Sequence, residues 1–548
     1  MPEPETKSKI GRNLGMIVLL LGAAAAYGAV ALNTLRHGRT TFDEVSYLIR
    51  SWWYATGAAE PYTGVDATWQ MPLYFYELGW WQRLAGVGHH PGRLLSVIAG
   101  VLGAVILFAI VRRLTGNMLA AAAAVLIFLA TPATAYAFSM ATPAAIVSTL
   151  HLAAIWLIVT GLGRPRTWAS AAMGVLCALI FFTRQNMLLG IVVLIPLYVA
   201  AIGKDRGIHA VVVLATAAIA TATALVLFPS PLAAQALHLP VVTPYLIRWG
   251  VLPPDFGLIE QGTTGLGTMA AAFGAVRWPE LLDTLALPFA GVILAALTLF
   301  LVARGPLKVL WIAPLYFFWL VFAHVFASAG YCQGCMTDYT PYFAGVGALS
   351  GGLGLAVMAS LARKGGVSPV LVICLGAILA TAVSTFAPIL ARNQAYRYYP
   401  ASQLARTGAE DEVGDMDLFA RWLKATVPAR EPILVIHNFP AVPYAAFLAG
   451  QVFPVQNIDP AQTRRTIRPT RNPATREQIQ AAVEAQSLWT EDTLKRWLER
   501  DYDVVLFQRA TDPDQAAVTA ALTQNFDVIG TQPFRGQTLT LYKRKAQQ

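Results

Sequence analysis

Two adjacent carboxylic acids, Asp43 and Glu44, stand in the segment 41–47, Thr-Phe-Asp-Glu-Val-Ser-Tyr, directly after a long apolar run. A carboxylate within hydrogen-bond reach of a hydroxyl group can remove its proton as a general base, and carboxylates also bind divalent metal ions. The structural alternative is that polar residues simply end a helix at the membrane interface. Both interpretations are open from these positions alone.

The segment that follows is crowded with aromatic side chains. Aromatic residues concentrate at membrane interfaces, and helices lying there are amphipathic. Such a segment beside an acidic pair is placed to bring a lipid-borne substrate to a carboxylate, although core packing is the alternative for many of these rings. The aromatic residues are Trp52, Trp53, Tyr54, Tyr62, Trp69, Tyr74, Phe75, Tyr76, Trp80 and Trp81.

Composition indicates a membrane protein. Of the 548 residues, 56% are hydrophobic and only 13% are charged, whereas soluble domains have about 25% charged residues. This excludes a soluble enzyme, a disordered chain and a fibre. The net charge of +10 does not indicate nucleic acid as a partner, because Lys and Arg of membrane proteins collect in cytoplasmic loops.

Runs of about 20 apolar residues mark membrane-spanning helices. The expected fold is a polytopic α-helical membrane protein with about eleven spans and a C-terminal α/β domain outside the cytoplasm. The predicted spans are 13–32, 92–111, 118–138, 143–162, 167–183, 187–203, 208–228, 284–303, 309–328, 341–361 and 368–390.

Basic residues occur in every second connection, which predicts that these connections are cytoplasmic. The N-terminus is then cytoplasmic, and the loops 33–91 and 229–283 lie on the outer face of the cytoplasmic (inner) membrane. The basic residues are Lys7, Lys9, Arg12, Arg112, Arg113, Arg164, Arg166, Lys204, Arg206, Arg304, Lys308, Arg363 and Lys364.

The chain divides at about residue 390. Residues 1–390 hold the spans and the two outer loops, whereas 391–548 have ordinary charge density and an odd number of spans places them outside. Buried or alternating patterns predict strands at 432–436, 503–507 and 537–542. Helical patterns lie between them, around 414–427, 474–486 and 491–501.

This order of features resembles the GT-C glycosyltransferases, most closely the branch with the protein O-mannosyltransferases and the aminoarabinose transferases of lipid A. The sharpest resemblance lies in Asp-Glu-x-x-Tyr at 43–47, Pro-Leu-Tyr at 72–74, Arg-Leu-Leu-Ser at 93–96 and Arg-Arg-Leu-Thr-Gly at 112–116. Thr-Arg-Gln-Asn at 183–186, Asp-Tyr-Thr-Pro-Tyr at 338–342 and the outer tail extend it along the chain.

The resemblance implies an inverting glycosyltransferase that moves a sugar from a polyprenyl-phosphate donor to a hydroxyl group of a lipid, glycan or protein of the cell envelope. Its partners are then these substrates and membrane lipids, and the family's acidic residue corresponds to Asp43, with Glu44 beside it. Two alternatives are a transporter or flippase for a glycolipid or polyprenyl lipid, without transferase chemistry, and a non-catalytic scaffold.

The same resemblance implies the residues that bind substrate. A leaving phosphate needs cations, for which Arg is well suited, and we expect Arg184 first, with Arg248 as a second candidate. The alternative for Arg184 is a side chain reaching from the membrane edge to the interface. Further substrate contacts are expected at Tyr47, Tyr74, Tyr339 and Gln70, the last at a place where the family often has a basic residue.

Two departures from the family affect its acidic and basic positions. Thr142 stands about where many members have an acid, so Glu44 or Asp66 takes that role or it is dispensable, and Asp338 replaces an Arg. No protein metal site is predicted, and a divalent cation held by carboxylates is an open cofactor alternative.

Cysteine and histidine residues complete the candidates. Cys332 and Cys335 lie in an outer loop, where a local disulfide is favoured over free thiols or a metal site. His89 and His90 precede the second span, and we expect both to be solvated, with metal or substrate binding as the alternative.

Overall fold

The structure is a computed structural model, and the part that it describes forms two compact units. The described residues are 4–37, 41–58, 72–162, 166–184, 187–202, 205–227, 248, 313, 315–321, 340–390, 412–428, 431–436, 441–451, 491–508, 516–534 and 537–546.

The first unit is a bundle of apolar helices. Five of the described helices contain segments long and apolar enough to cross a membrane, namely Gly11–Arg36, His89–Thr115, Ala144–Gly161, Arg206–Ala224 and Pro341–Lys364. The helices of this unit are α1 (Pro4–His37), α4 (His89–Thr115, from Arg93 onward), α5 (Met118–Ala130), α6 (Pro132–Ala137), α7 (Ala144–Gly161), α8 (Thr167–Thr183), α9 (Leu188–Ile202), α10 (Arg206–Leu227), α11 (Thr340–Lys364) and α12 (Pro369–Leu390).

The predicted spans coincide with helices wherever the structure describes them, with one correction. The span predicted at 118–138 is two helices, α5 and α6, because Pro132 begins the second and holds Thr131 in an extended conformation (φ −65°, ψ 119°). Residues 315–321, inside the span predicted at 309–328, are helical. The span predicted at 284–303 lies outside the described residues.

Helix α5 is the centre of the bundle, whereas α10 lies at its surface. Every residue of α5 from Leu119 to Leu129 is buried, as expected for a helix that is apolar on all sides. On α10 the side chains of Val211, Leu214 and Ile219 are exposed. Such an apolar surface is unfavourable in water, so this face of α10 is suited to contact with lipid.

Glycines allow the helices of this unit to approach closely. A Cβ atom on Gly174 of α8 would lie 2.4 Å from the carbonyl oxygen of Val213 on α10. On α11, a Cβ atom on Gly352 would lie 2.7 Å from the Cβ of Ala124 on α5. Small residues at such contacts are the common way in which membrane helices pack, since lipid offers no hydrophobic driving force between them.

The second unit contains helices on either side of a small sheet. Its elements are α2 (Phe42–Thr56), α3 (Leu73–Ala85), the first turn of α4, α13 (Glu412–Thr426), β1 (Ile433–Ile436), α14 (Ala441–Leu448), α15 (Glu491–Arg496, continued as a π-helical turn at Trp497–Asp501), β2 (Val504–Gln508), α16 (Ala516–Asn525), β3 (Phe526–Phe534) and β4 (Gln537–Arg544).

The sheet has the strand order β1-β2-β4-β3. Strands β1 and β2 are parallel, with Ile433 opposite Val504, and the other two pairs are antiparallel. The three strands predicted from the sequence are therefore present, and the helices predicted around 414–427 and 491–501 correspond to α13 and to α15 with its π-helical turn. The helix predicted at 474–486 lies outside the described residues.

Strand β3 was not predicted, and its residues explain why. It lies at the edge of the sheet, with a bulge between Val528 and Gly530 and with Pro533 paired to Thr538. Gly and Pro are rare inside strands, and both are typical of bulges and edges. Only its two ends are buried, so the sequence carries neither a continuous apolar run nor a regular alternation.

Candidate functional site

The acidic pair begins a helix of its own. Thr41 caps α2, since its Oγ1 accepts a hydrogen bond from the backbone N–H of Glu44 at 3.1 Å. Helix α1 ends earlier, at His37. Asp43 and Glu44 thus lie in the first turn of α2, where the positive end of the helix dipole stabilises negative charge.

The two carboxylates have different surroundings. Asp43 is exposed, whereas Glu44 has no exposed surface. The Oε2 atom of Glu44 lies 3.9 Å from Nε2 of His89, which is itself buried. The expectation that His89 is solvated is therefore wrong, and His90 beside it is exposed as expected. Only Asp43 of the pair has the access that a substrate requires.

Helices α2 and α3 pack as a close hairpin. A Cβ atom on Gly79 would lie 2.0 Å from the carbonyl oxygen of Ser51, so the two backbones are in direct contact there. Gln82, which is buried, donates from Nε2 to the carbonyl of Leu48 at 3.0 Å and accepts from the N–H of Gly88 at 3.3 Å. This side chain fixes α2 against the turn between α3 and α4.

The predicted substrate contacts Tyr47 and Tyr74 lie within this hairpin. Both are buried, and their rings meet edge to face with centroids 5.1 Å apart. Phe75 packs against Tyr47 with a centroid distance of 5.2 Å. These rings form part of the contact between α2 and α3, and their assignment to substrate binding stays a prediction.

Glu77 of α3 was missed in the sequence. It is the only acid in the run Leu-Tyr-Phe-Tyr-Glu-Leu-Gly-Trp-Trp at 73–81. A single acid in an otherwise apolar and aromatic run is the sequence signal that could have identified it. Its Oε2 atom is buried without a hydrogen-bond partner among the described residues. Burial raises the pKa of Glu77 to about 7, because the charged form is poorly solvated there.

In the first unit, Arg184 follows α8. Its backbone is extended (φ −154°, ψ 107°) and its side chain is 6% exposed. The guanidinium carbon lies 5.8 Å from the ring centroid of Tyr342 on α11, a cation–π contact. A buried guanidinium over a ring differs from a side chain that merely reaches from the membrane edge into the interface.

The motif residues Arg93 and Ser96 connect helices of the first unit. Both are fully buried, and Nη1 of Arg93 donates to the carbonyl of Thr34 at the end of α1. Ser96 donates to the carbonyl of Thr142 at 3.4 Å. Their spacing of three places them on one side of α4, and backbone carbonyl groups accept these two hydrogen bonds.

The other predicted site residues are less informative. Arg248 is exposed. Gln70, Tyr339, Asp66, Asp338, Cys332 and Cys335 lie outside the described residues. Within the part of the chain that the structure describes, no group of three His, Cys, Asp or Glu side chains could hold a metal ion.

Comparisons with known proteins agree with the architecture. Residues 70–247 match the family model described as dolichyl-phosphate-mannose-protein mannosyltransferase. The crystal structure of ArnT from Cupriavidus metallidurans bound to undecaprenyl phosphate superposes with a TM-score of 0.58 at 14% identity, covering 96% of this chain and 97% of that one. The apo structure of the same protein gives 0.51 at 13% identity, covering 96% and 98%.

The chain has the GT-C fold of ArnT. The resemblance stated from the sequence is thereby confirmed, and the chain is a multi-pass membrane protein. The range that matches the family model begins after the acidic pair, so it does not include Asp43. No curated protein matches the sequence significantly.

Proposed function

We propose that this GT-C protein transfers a sugar from a polyprenyl-phosphate donor to a hydroxyl group of a lipid, glycan or protein acceptor, with Asp43 as the general base. The observation that carries the proposal is the exposed carboxylate of Asp43 at the start of α2, beside the buried and paired Glu44. The ArnT structure with the same fold holds undecaprenyl phosphate, which supports a lipid-borne donor here.

The proposed reaction is a single displacement. The acceptor oxygen forms a bond to the anomeric carbon while the bond from that carbon to the phosphate oxygen breaks, which inverts the configuration. The hydroxyl proton passes to the Asp43 carboxylate as the new bond forms, since an alcohol is a poor nucleophile until its proton is being removed. The polyprenyl phosphate leaves with the electron pair and its negative charge.

The leaving phosphate requires a cation, and Arg184 is our candidate. Its guanidinium group offers several donors in a fixed plane that suits phosphate oxygens. The contact with the ring of Tyr342 restricts the rotamers of this side chain, so less conformational entropy would be lost when it binds phosphate.

We further propose that the reaction takes place on the outer face of the cytoplasmic membrane. Nucleotide sugars are cytoplasmic, so a donor used outside must be lipid-borne. The regular placement of basic residues, such as Arg112 with Arg113 and Arg363 with Lys364, supports a cytoplasmic side for those connections. The loops 33–91 and 229–283 and the tail 391–548 then lie outside.

The deciding experiment supplies purified protein in lipid vesicles with radiolabelled polyprenyl-phosphate sugars and a membrane extract as acceptor. Asp43→Asn should lower transfer by about 10²–10⁴-fold, the usual contribution of a positioned general base. Asp527→Asn removes another exposed carboxylate, on β3, and should retain full activity. Equal transfer by Asp43→Asn and wild type would remove Asp43 from the mechanism.

The alternative of a lipid transporter is supported by a buried ionisable side chain inside a span. His151 is buried within α7, where its Nδ1 donates to the carbonyl of Val147 at 2.9 Å, and ionisable groups inside spans often mark transport pathways. A fluorescent polyprenyl phosphate that crosses vesicle membranes without sugar transfer, and no longer crosses in His151→Ala, would favour the transporter.

A further inference from the structure

The buried carboxylate of Glu44 lies beside His89, and His89 in turn contacts Tyr444 of the second unit. His89 lies in the first turn of α4, with 3.9 Å between Oε2 of Glu44 and Nε2 of His89. Both side chains are almost completely excluded from solvent. A carboxylate in such a place is costly unless it is paired, and removing one member of a buried pair is strongly destabilising to the local structure.

His89 also contacts the C-terminal part of the chain. The ring of Tyr444 from α14 meets the imidazole edge to face, with ring centroids 4.0 Å apart, and Tyr444 has no exposed surface. The residue before His89 is a glycine, which allows the backbone to approach Tyr444 closely. Gly88 has φ +125°, and a Cβ atom there would lie 3.3 Å from the hydroxyl oxygen of Tyr444.

These contacts act on the residue next to Asp43. Neighbouring side chains on a helix point about 100° apart, so fixing the direction of Glu44 also fixes the direction in which Asp43 projects. Thr41 holds the same turn through its cap. The first turn of α2 is therefore defined by α4 and α14 as well as by its own sequence.

We propose that Glu44 and His89 are positioning residues and that Tyr444 of α14 holds them, so that the C-terminal region sets the orientation of Asp43. This rests on the proposed function, in which Asp43 is the base. Glu44 then makes no contact with substrate. A misplacement of reacting groups by about 1 Å can cost about 10²-fold in rate, which is the scale on which such positioning is felt.

The kinetic test uses the full chain in vesicles and compares His89→Gln and Tyr444→Leu with Tyr444→Phe, which keeps the ring. We expect both of the first two to lower kcat about tenfold or more with little change in the KM for the donor, and Tyr444→Phe to stay within about twofold of wild type. In the Asp43→Asn background, His89→Gln should cause no further loss of kcat, because His89 acts through Asp43. Unchanged kcat in His89→Gln and Tyr444→Leu would overturn the proposal.

A second measurement is independent of transfer. The alkylation rate of Asp43→Cys by a polar maleimide, read on its own peptide by mass spectrometry, reports the position of this turn whether or not Asp43 is the base. The rate should change severalfold when Tyr444→Leu is added and stay constant with Tyr444→Phe. Equal rates in all three proteins would refute the coupling, whereas a changed rate together with a fully active Asp43→Asn would refute only the proposed function.

Discussion

The acidic side chains of α2 and α3 differ in their exposure to solvent. Asp43 is exposed and Glu44 is fully buried beside His89. Glu77 is between these extremes, half-buried with a pKa raised to about 7. The differences decide which acid is available to a substrate and which acid affects stability.

Glu77 should make stability depend on pH. Below about pH 4.5 the carboxyl is protonated in both the folded and the unfolded chain, and between that value and about 7 only the unfolded chain releases the proton. The contribution to stability is therefore lost as pH rises through this window. Glu77→Gln cannot ionise, so its Tm relative to wild type should be higher at pH 8 than at pH 5, measured in detergent by intrinsic fluorescence.

The control for this experiment is Glu499→Gln, whose carboxylate is exposed beside Lys495. Its Tm relative to wild type should differ little between the two pH values, because the charge stays hydrated. A Tm difference for Glu77→Gln that falls with pH would show that the carboxylate, and not the acid, is the favoured form in the folded protein.

The sequence identifies the acidic pair, and the family resemblance points to Asp43 as the base, but the sequence does not show which of the two acids is exposed. Two adjacent acidic residues after an apolar run can be recognised in the sequence. The directions of their side chains, however, depend on where α2 begins, which is directly after Thr41. The burial of His89 depends on Tyr444, which is far away in the chain, so no local pattern reports it. Solvation of a loop histidine is the reasonable expectation until that partner is known.

At the scale of elements, the α2–α3 hairpin depends on one glycine. A Cβ atom on Gly79 meets the backbone of Ser51, which cannot move aside as a side chain would. Gly79→Ala should therefore separate the helices and cost about 1–3 kcal/mol, the usual range for overpacking. The expected result is a lower Tm in detergent together with reduced transfer, since α2 carries Asp43.

Gly28→Ala on α1 is the matched control. Nothing lies within 4 Å of a Cβ atom at that position, and alanine is the better helix former. Its Tm should equal or exceed that of wild type. If Gly79→Ala were as stable as Gly28→Ala, the close contact between α2 and α3 would be ruled out.

Elements were predictable where one physical signal dominates. Apolar runs long enough for a membrane identified the helices of the bundle, because nothing else in a protein requires such runs. The single span predicted at 118–138 does not include the interruption of the helix before Pro132, although the proline itself indicates it in the sequence. The edge strand β3 could not be found, since pairing with β4 rather than its own pattern makes it a strand.

At the scale of the whole molecule, the basic residues predict an orientation that labelling can measure. Lys424→Cys lies on the exposed surface of α13, and Lys364→Cys lies at the exposed end of α11. A membrane-impermeant maleimide should label position 424 in right-side-out vesicles and position 364 only in inverted ones, because basic connections are cytoplasmic. Labelling is read on each peptide by mass spectrometry.

Labelling of the wild-type protein under the same conditions measures the background from its four native cysteines, of which Cys177 is buried. The reverse pattern at the two positions would place the tail in the cytoplasm and would exclude the proposed site of reaction. Composition alone indicates the membrane class, whereas the orientation is predicted from the distribution of basic residues.

Because α5 is buried on every side, the bundle cannot close while the ribosome is still making its first half. Helices α11 and α12 cover α5, and they begin only at Thr340 and Pro369. Until then Leu119–Leu129 must face lipid or the insertion machinery. The small side chains of the alanines at 120–124 leave a flat helix surface, against which Gly352 later packs. Final assembly is therefore a late event in biogenesis.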